Sequence, residues 1–88
     1  MTVDTAIAKN PAAGWDITTA ILADKNEKLA HVQIRINDFP EYDKNIDPKA
    51  DSWKNTLVQQ GNYPGENRVV VTATSDDGKD HVHIQEWS

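Results

Sequence analysis

Apolar and polar positions alternate in short runs along this chain, and clusters of turn-forming residues separate the runs, a spacing that predicts many short strands joined by loops. The pattern is clearest from Leu29 to Asn37, where Val32, Ile34 and Ile36 alternate with His31, Gln33, Arg35 and Asn37 at the two-residue period of a half-buried strand. Asn67 to Thr74 is dense in β-branched residues, whose stiff side chains suit a pleated surface, and Val69, Val71 and Ala73 define one face. Ser75-Asp76-Asp77-Gly78-Lys79 then supplies a turn, with Gly78 free to take the positive φ that turns require. The final run, His81 to Trp87, puts Val82 and Ile84 on the face opposite His81, His83 and Gln85, so the last two strands are expected to form an antiparallel hairpin.

The first half is less uniform. Val3, Thr5 and Ile7 share a face before Asn10-Pro11 breaks the run, and Trp15, Ile17, Thr19 and Ile21 share another before the Asp24-Lys25-Asn26-Glu27 cluster. From Phe39 to Ala50, two prolines and alternating charges predict a long loop or a weak edge strand. Ser52 to Val58 reads as a strand through Trp53, Asn55 and Leu57, although Trp53 and Leu57 also sit at helical spacing, with Asp51 placed as N-cap and Gly61 as C-terminal stop. The pattern therefore predicts an all-β two-sheet sandwich of six to seven strands. The alternative is an α+β fold with helices near 17–29 and 51–60.

The second half resembles the bacterial immunoglobulin-like and fibronectin III-like domains that recur in extracellular, cell-wall and adhesin proteins. The resemblance is carried by Ser52-Trp53 leading an apolar strand, by Tyr63-Pro64-Gly65-Glu66-Asn67, by the run from Val69 to Thr74, and by Ser75-Asp76-Asp77-Gly78 opening the last strand. Ala30 to Asn37 looks like the third strand of such domains. The resemblance spans about residues 28–87 and implies two packed sheets with Trp53 as a core plug, so that Trp53→Ala would cost roughly 3–5 kcal/mol and Trp87→Ala less. The charged stretch from Phe39 to Lys49 and the terminal Trp87 depart from the family pattern.

Composition narrows the function. Eighty-eight residues suit one domain, 1–88, with 1–10 as a weak first strand or a flexible end, and any ligand site in so small a core is expected to be superficial. Nine Lys and Arg against fourteen Asp and Glu leave a net charge of -5, which repels phosphate backbones and anionic headgroups and argues against nucleic acid as a partner. The chain contains no cysteine, so neither disulfides nor thiolate chemistry are available to it. No apolar run approaches the length of a membrane span, and 1–10 lacks the basic and apolar regions of a signal peptide.

Candidate chemistry is sparse. His81 and His83 share a strand face and, with His31, would make a transition-metal site if the third and last strands met; solvated histidines on a polar face are the plainer reading. Asp76, Asp77 and Asp80 cluster at one hairpin, as calcium ligands do, but without the spacing of an EF-hand; acids in turns usually serve the turn itself. Asp24 and Glu27 form a similar pair in another turn. Glu41, Asp43, Asp47 and Asp51 lie in too polar a setting for a desolvated general acid, and no nucleophile elbow or phosphate loop is present, so an enzyme is not expected. Phe39, Tyr42 and Tyr63 fall on expected loops, where aromatics can stack on a sugar or anchor a protein, or merely lid the sandwich.

These features favour a non-catalytic, monomeric structural or adhesive module of a larger exported protein, located outside the cell, on its surface or in the periplasm. It would act as a spacer or as a platform for weak protein or glycan contacts, with neighbouring domains of the parent protein among its partners. The alternative is a free-standing small acidic binding protein, an inhibitor or a phage or secretion accessory factor, acting through the 39–50 segment. In either case an exposed edge strand would permit pairing.

Overall fold

The computed structural model describes residues 1–59 and 65–88, and among them there is no helix. Seven strands follow one another: β1 (Thr2–Lys9), β2 (Trp15–Leu22), β3 (Leu29–Ile36), β4 (Phe39–Ala50), β5 (Ser52–Gln59), β6 (Asn67–Ser75) and β7 (Asp80–Trp87). They form two antiparallel sheets, one ordered β1-β2-β5 and the other β4-β3-β6-β7. The chain is thus an all-β two-sheet sandwich, as the alternation predicts.

The helical alternative fails for a simple reason. Four residues is an even number, so the Trp53 and Leu57 spacing suits a strand face as well as a helix. Pairing decides the matter: Trp53 lies opposite Ile21, and Leu57 opposite Ile17. β2 is flanked on both sides, by β1 and β5, and so satisfies its backbone as a central strand.

The core is aliphatic. Ile17 and Ile21 come from β2, Leu29, Val32, Ile34 and Ile36 from β3, and Val69, Val71 and Ala73 from β6; all are at most 2% exposed. The central strands of both sheets supply these residues because only they are covered on each side. Trp15, Trp53 and Trp87 are half-buried and pack against this cluster from its margins, so Trp53 is not the central plug that the family resemblance implies. Aliphatic residues, most of them β-branched, fill the middle between the facing sheets without a large ring.

The segment from Phe39 to Ala50 forms a paired edge strand. It is joined to β3 through Asn37 and Asp38, whose φ values of 50° and 69° make a tight two-residue turn between the Ile36 and Phe39 pair. Asn37 is held there by accepting a hydrogen bond from the Arg68 backbone N–H at 2.8 Å, while its amide group donates to Asn67 at 3.0 Å. Register breaks between Leu29 and His31, where β4 bulges around Asp47-Pro48.

The last hairpin departs from the sequence expectation. Val69, Val71 and Ala73 are opposite Gln85, His83 and His81, so the histidines point into the sandwich, while Val82 and Ile84 face outward at 60% and 55% exposure. The reading of His81 and His83 as solvated polar-face residues is therefore corrected. The cause is the turn. Thr74 pairs with Asp80, Ser75 N–H donates to the Lys79 carbonyl at 2.9 Å, and Gly78 closes the loop at φ 85°. A two-residue Asp77-Gly78 turn would shift the pairing by one and send Val82 and Ile84 inward, since strand faces alternate with period two.

Candidate functional site

β1 and β7 are the edges of the two sheets on one flank of the sandwich, and their inner faces meet through polar groups. The Thr5 hydroxyl donates to Gln85 Oε1 and lies 3.0 Å from His83 Nε2. A hydroxyl has one proton, so with that proton on Gln85 it is the imidazole that donates to Thr5. His81 lies beside them with its Nε2 buried and without a hydrogen-bond partner among the described residues, in a shallow groove formed with Met1, Val3 and Asp80. The same polar level continues inward, because Thr5 is opposite Thr19 and Thr19 opposite Asn55, and Thr19 Oγ1 and Asn55 Oδ1 are likewise buried and unpartnered among the described residues.

The metal candidates do not converge. His31 sits on the outer face of β3, 2.6 Å from Asp43 and 2.8 Å from Asn45, whereas His81 and His83 face inward with β6 lying between the two strands. Asp76 accepts from the Lys28 backbone N–H of the neighbouring loop at 3.2 Å, while Asp77 accepts from the Ser75 hydroxyl and Asp80 from the Thr74 hydroxyl at 2.7 Å within their own hairpin. Among the described residues no three His, Asp or Glu side chains are grouped to hold a metal ion.

The Ser75 hydroxyl holds the Asp77 carboxyl below its ordinary value of 3.8, with the Lys79 backbone N–H and ammonium adding to the effect. Because the folded value is depressed, this interaction is fully stabilising above pH 3.8 and is lost as pH falls through the folded value. Asp77→Asn is therefore expected to lower stability at neutral pH and to show a shallower loss than the parent chain between about pH 5 and 2, followed by denaturant midpoints. Parallel acid profiles would contradict that role. Glu27 is shifted in the same direction by the Asp24 backbone N–H and then by the Met1 ammonium, which bridges Asp24 and Glu27.

These last contacts belong to one pole of the sandwich, where Lys28 also pairs with Asp51. Of the aromatic candidates, Tyr42 faces between the sheets and packs at a tilt against Trp53, with ring centroids 5.3 Å apart, closing the β4–β5 flank, and so is not a free platform. Phe39 is 55% exposed at the opposite pole. Tyr63 lies outside the described residues. Glu41, Asp43, Asp47 and Asp51 are all exposed.

The feature that sequence reasoning missed is the outer face of β7. Val82 and Ile84 are neighbours two residues apart on one strand, and the half-buried Val70 is opposite Ile84. Among the described residues the other large exposed apolar side chains, Leu22, Phe39 and Val58, lie on β2, β4 and β5. The signal was the parity of the 75–79 loop: an odd number of residues between the Thr74 and Asp80 pair places even-numbered residues on the outside of both strands. Compared with known proteins, the sequence matches no family model and no curated protein.

Proposed function

We propose that the domain is a non-catalytic, immunoglobulin-like structural or adhesive module of a larger exported or cell-surface bacterial protein, serving as a spacer that carries a protein-binding surface. One observation carries this reading: β1 begins at one pole, beside Leu22 and Asp80, and β7 ends at the other, where Trp87 meets Trp15. The body measures 41 × 20 × 18 Å, and strands of eight residues rise about 27 Å, so the long axis follows the strands. A chain that enters at one pole of a stiff rod and leaves at the other adds its full length to whatever it joins. The resemblance of residues 28–87 to bacterial immunoglobulin-like domains supports the family and the setting.

The test is a head-to-tail tandem of two copies joined by a two-residue linker. Small-angle scattering is expected to give a maximum dimension about twice that of one copy, whose long axis is 41 Å, and both copies should unfold at the midpoint of the single domain. A compact particle with the copies lying side by side would overturn the spacer reading.

A further inference from the structure

β4 and β7 are the two edges of the four-stranded sheet, and they are treated in opposite ways. β4 carries Pro40, Pro48, a bulge and the charges Glu41, Asp43, Lys44, Asp47 and Lys49, all of which obstruct an incoming strand. β7 carries no Pro, Gly or Lys and keeps unbroken register with β6 over eight pairs, so its free side is a straight, unguarded edge. Its outward face reads Asp80, Val82, Ile84, Glu86: two exposed apolar residues between two acids.

From this we infer that the free edge of β7 binds an extended segment of another protein as an added strand, and that the segment reads basic-x-apolar-x-apolar-x-basic. Backbone pairing along the edge would supply affinity, and alternate side chains would supply selection. Apolar residues of the segment cover Val82 and Ile84, while its basic residues meet Asp80 and Glu86. Each acid already has one partner, Arg68 at 3.7 Å from Glu86 with both side chains about half exposed and the Thr74 hydroxyl at 2.7 Å from Asp80, and a carboxylate keeps further acceptor sites for a second donor.

A second copy of this chain is the wrong occupant. In a two-fold antiparallel pairing of β7 with itself, the register that sets Val82 against Ile84 also sets Asp80 against Glu86, and like charges directly opposite are destabilising. Sliding by two residues sets Glu86 against Val82 one way, or Asp80 against Ile84 the other way. The chain's net charge of -5 adds to the repulsion between copies. The same pattern that rejects a copy selects a segment of opposite sign.

The probe is the capped peptide Lys-Thr-Val-Thr-Val-Thr-Lys, titrated into the isotope-labelled 88-residue chain and followed by two-dimensional amide spectra. Saturable shifts confined to β7 and adjacent β6, with slowed hydrogen exchange of β7 amides, are expected. Replacing both peptide lysines with glutamate should weaken binding at least about ten-fold, and the D80K/E86K chain should reverse that preference. An Ile84→Thr chain, shown folded by its spectral dispersion, should lose binding. Absence of saturation at millimolar peptide, shifts centred on β1, β4 or β5, equal binding of both peptide signs, or dimerisation of the chain through β7 would each overturn the inference. The peptide reads out the β7 edge of a single domain and the tandem reads out its poles, so the two proposals fail separately.

Discussion

Ile34→Ala lowers the unfolding free energy by about 3 kcal/mol, the middle of the range for truncating a buried aliphatic side chain. Ile34 is 0% exposed on β3, the strand flanked by β4 and β6, and its side chain belongs to the core cluster shared by β2, β3 and β6. A domain of this size has roughly 4–13 kcal/mol in hand, so the loss removes a large part of it and lowers the melting temperature by about 12–24 °C. Ile84→Ala makes the comparison sharp. It removes the same atoms from the same sheet, but from a residue 55% exposed on the outer face, and is expected to change stability by no more than about 0.5 kcal/mol. Chemical denaturation of the two variants decides the facing of β7. Equal losses would mean that Ile84 points inward, and the proposed β7 docking edge would fall with it.

Trp53→Ala is expected to cost about 3 kcal/mol, at the low end of the range for buried aromatics because Trp53 is only half-buried. Its ring lies 5.3 Å from that of Tyr42 at 55°, and this pair joins the edge strands β5 and β4 of opposite sheets. A double-mutant cycle with Tyr42→Ala should return a coupling of about 1 kcal/mol, and purely additive losses would show that the rings do not act together. Trp87→Ala belongs in the same experiment. The sequence alone ranks Trp87 below Trp53, yet the structure makes it the counterpart on the other flank, half-buried and edge-on to Trp15 at 6.3 Å. Its expected cost is accordingly similar.

These residues show where sequence reasoning reaches and where it stops. Val32, Ile34 and Ile36 and, further on, Val69, Val71 and Ala73 declare their strands because both lie centrally in a sheet, where one face is fully buried and alternation is strict. Trp53 and Leu57 satisfy two periodicities at once, and the β2 partner breaks the tie. Phe39 to Ala50 reads poorly because an edge strand buries little: only Tyr42, Ile46 and Ala50 turn partly inward. The candidate metal residues read well as types but not as a site, since the strand faces that carry His31 and His83 are set by two different hairpins.

The chain's own pattern favoured an all-β fold over the helical alternative, marked β3 and β6 together with their buried faces, and set the acidic net charge; these follow from local alternation and composition, which need no partner strand to be read. Tertiary structure decided which face of β7 is wet. Its pattern by itself favours turning Val82 and Ile84 inward, and the opposite facing is set by the Ser75-to-Lys79 turn and by pairing with β6, whose Val69, Val71 and Ala73 are buried. The result sends His81 and His83 inward toward Thr5 and leaves Val82 and Ile84 outside, at the one edge of their sheet without proline or bulge.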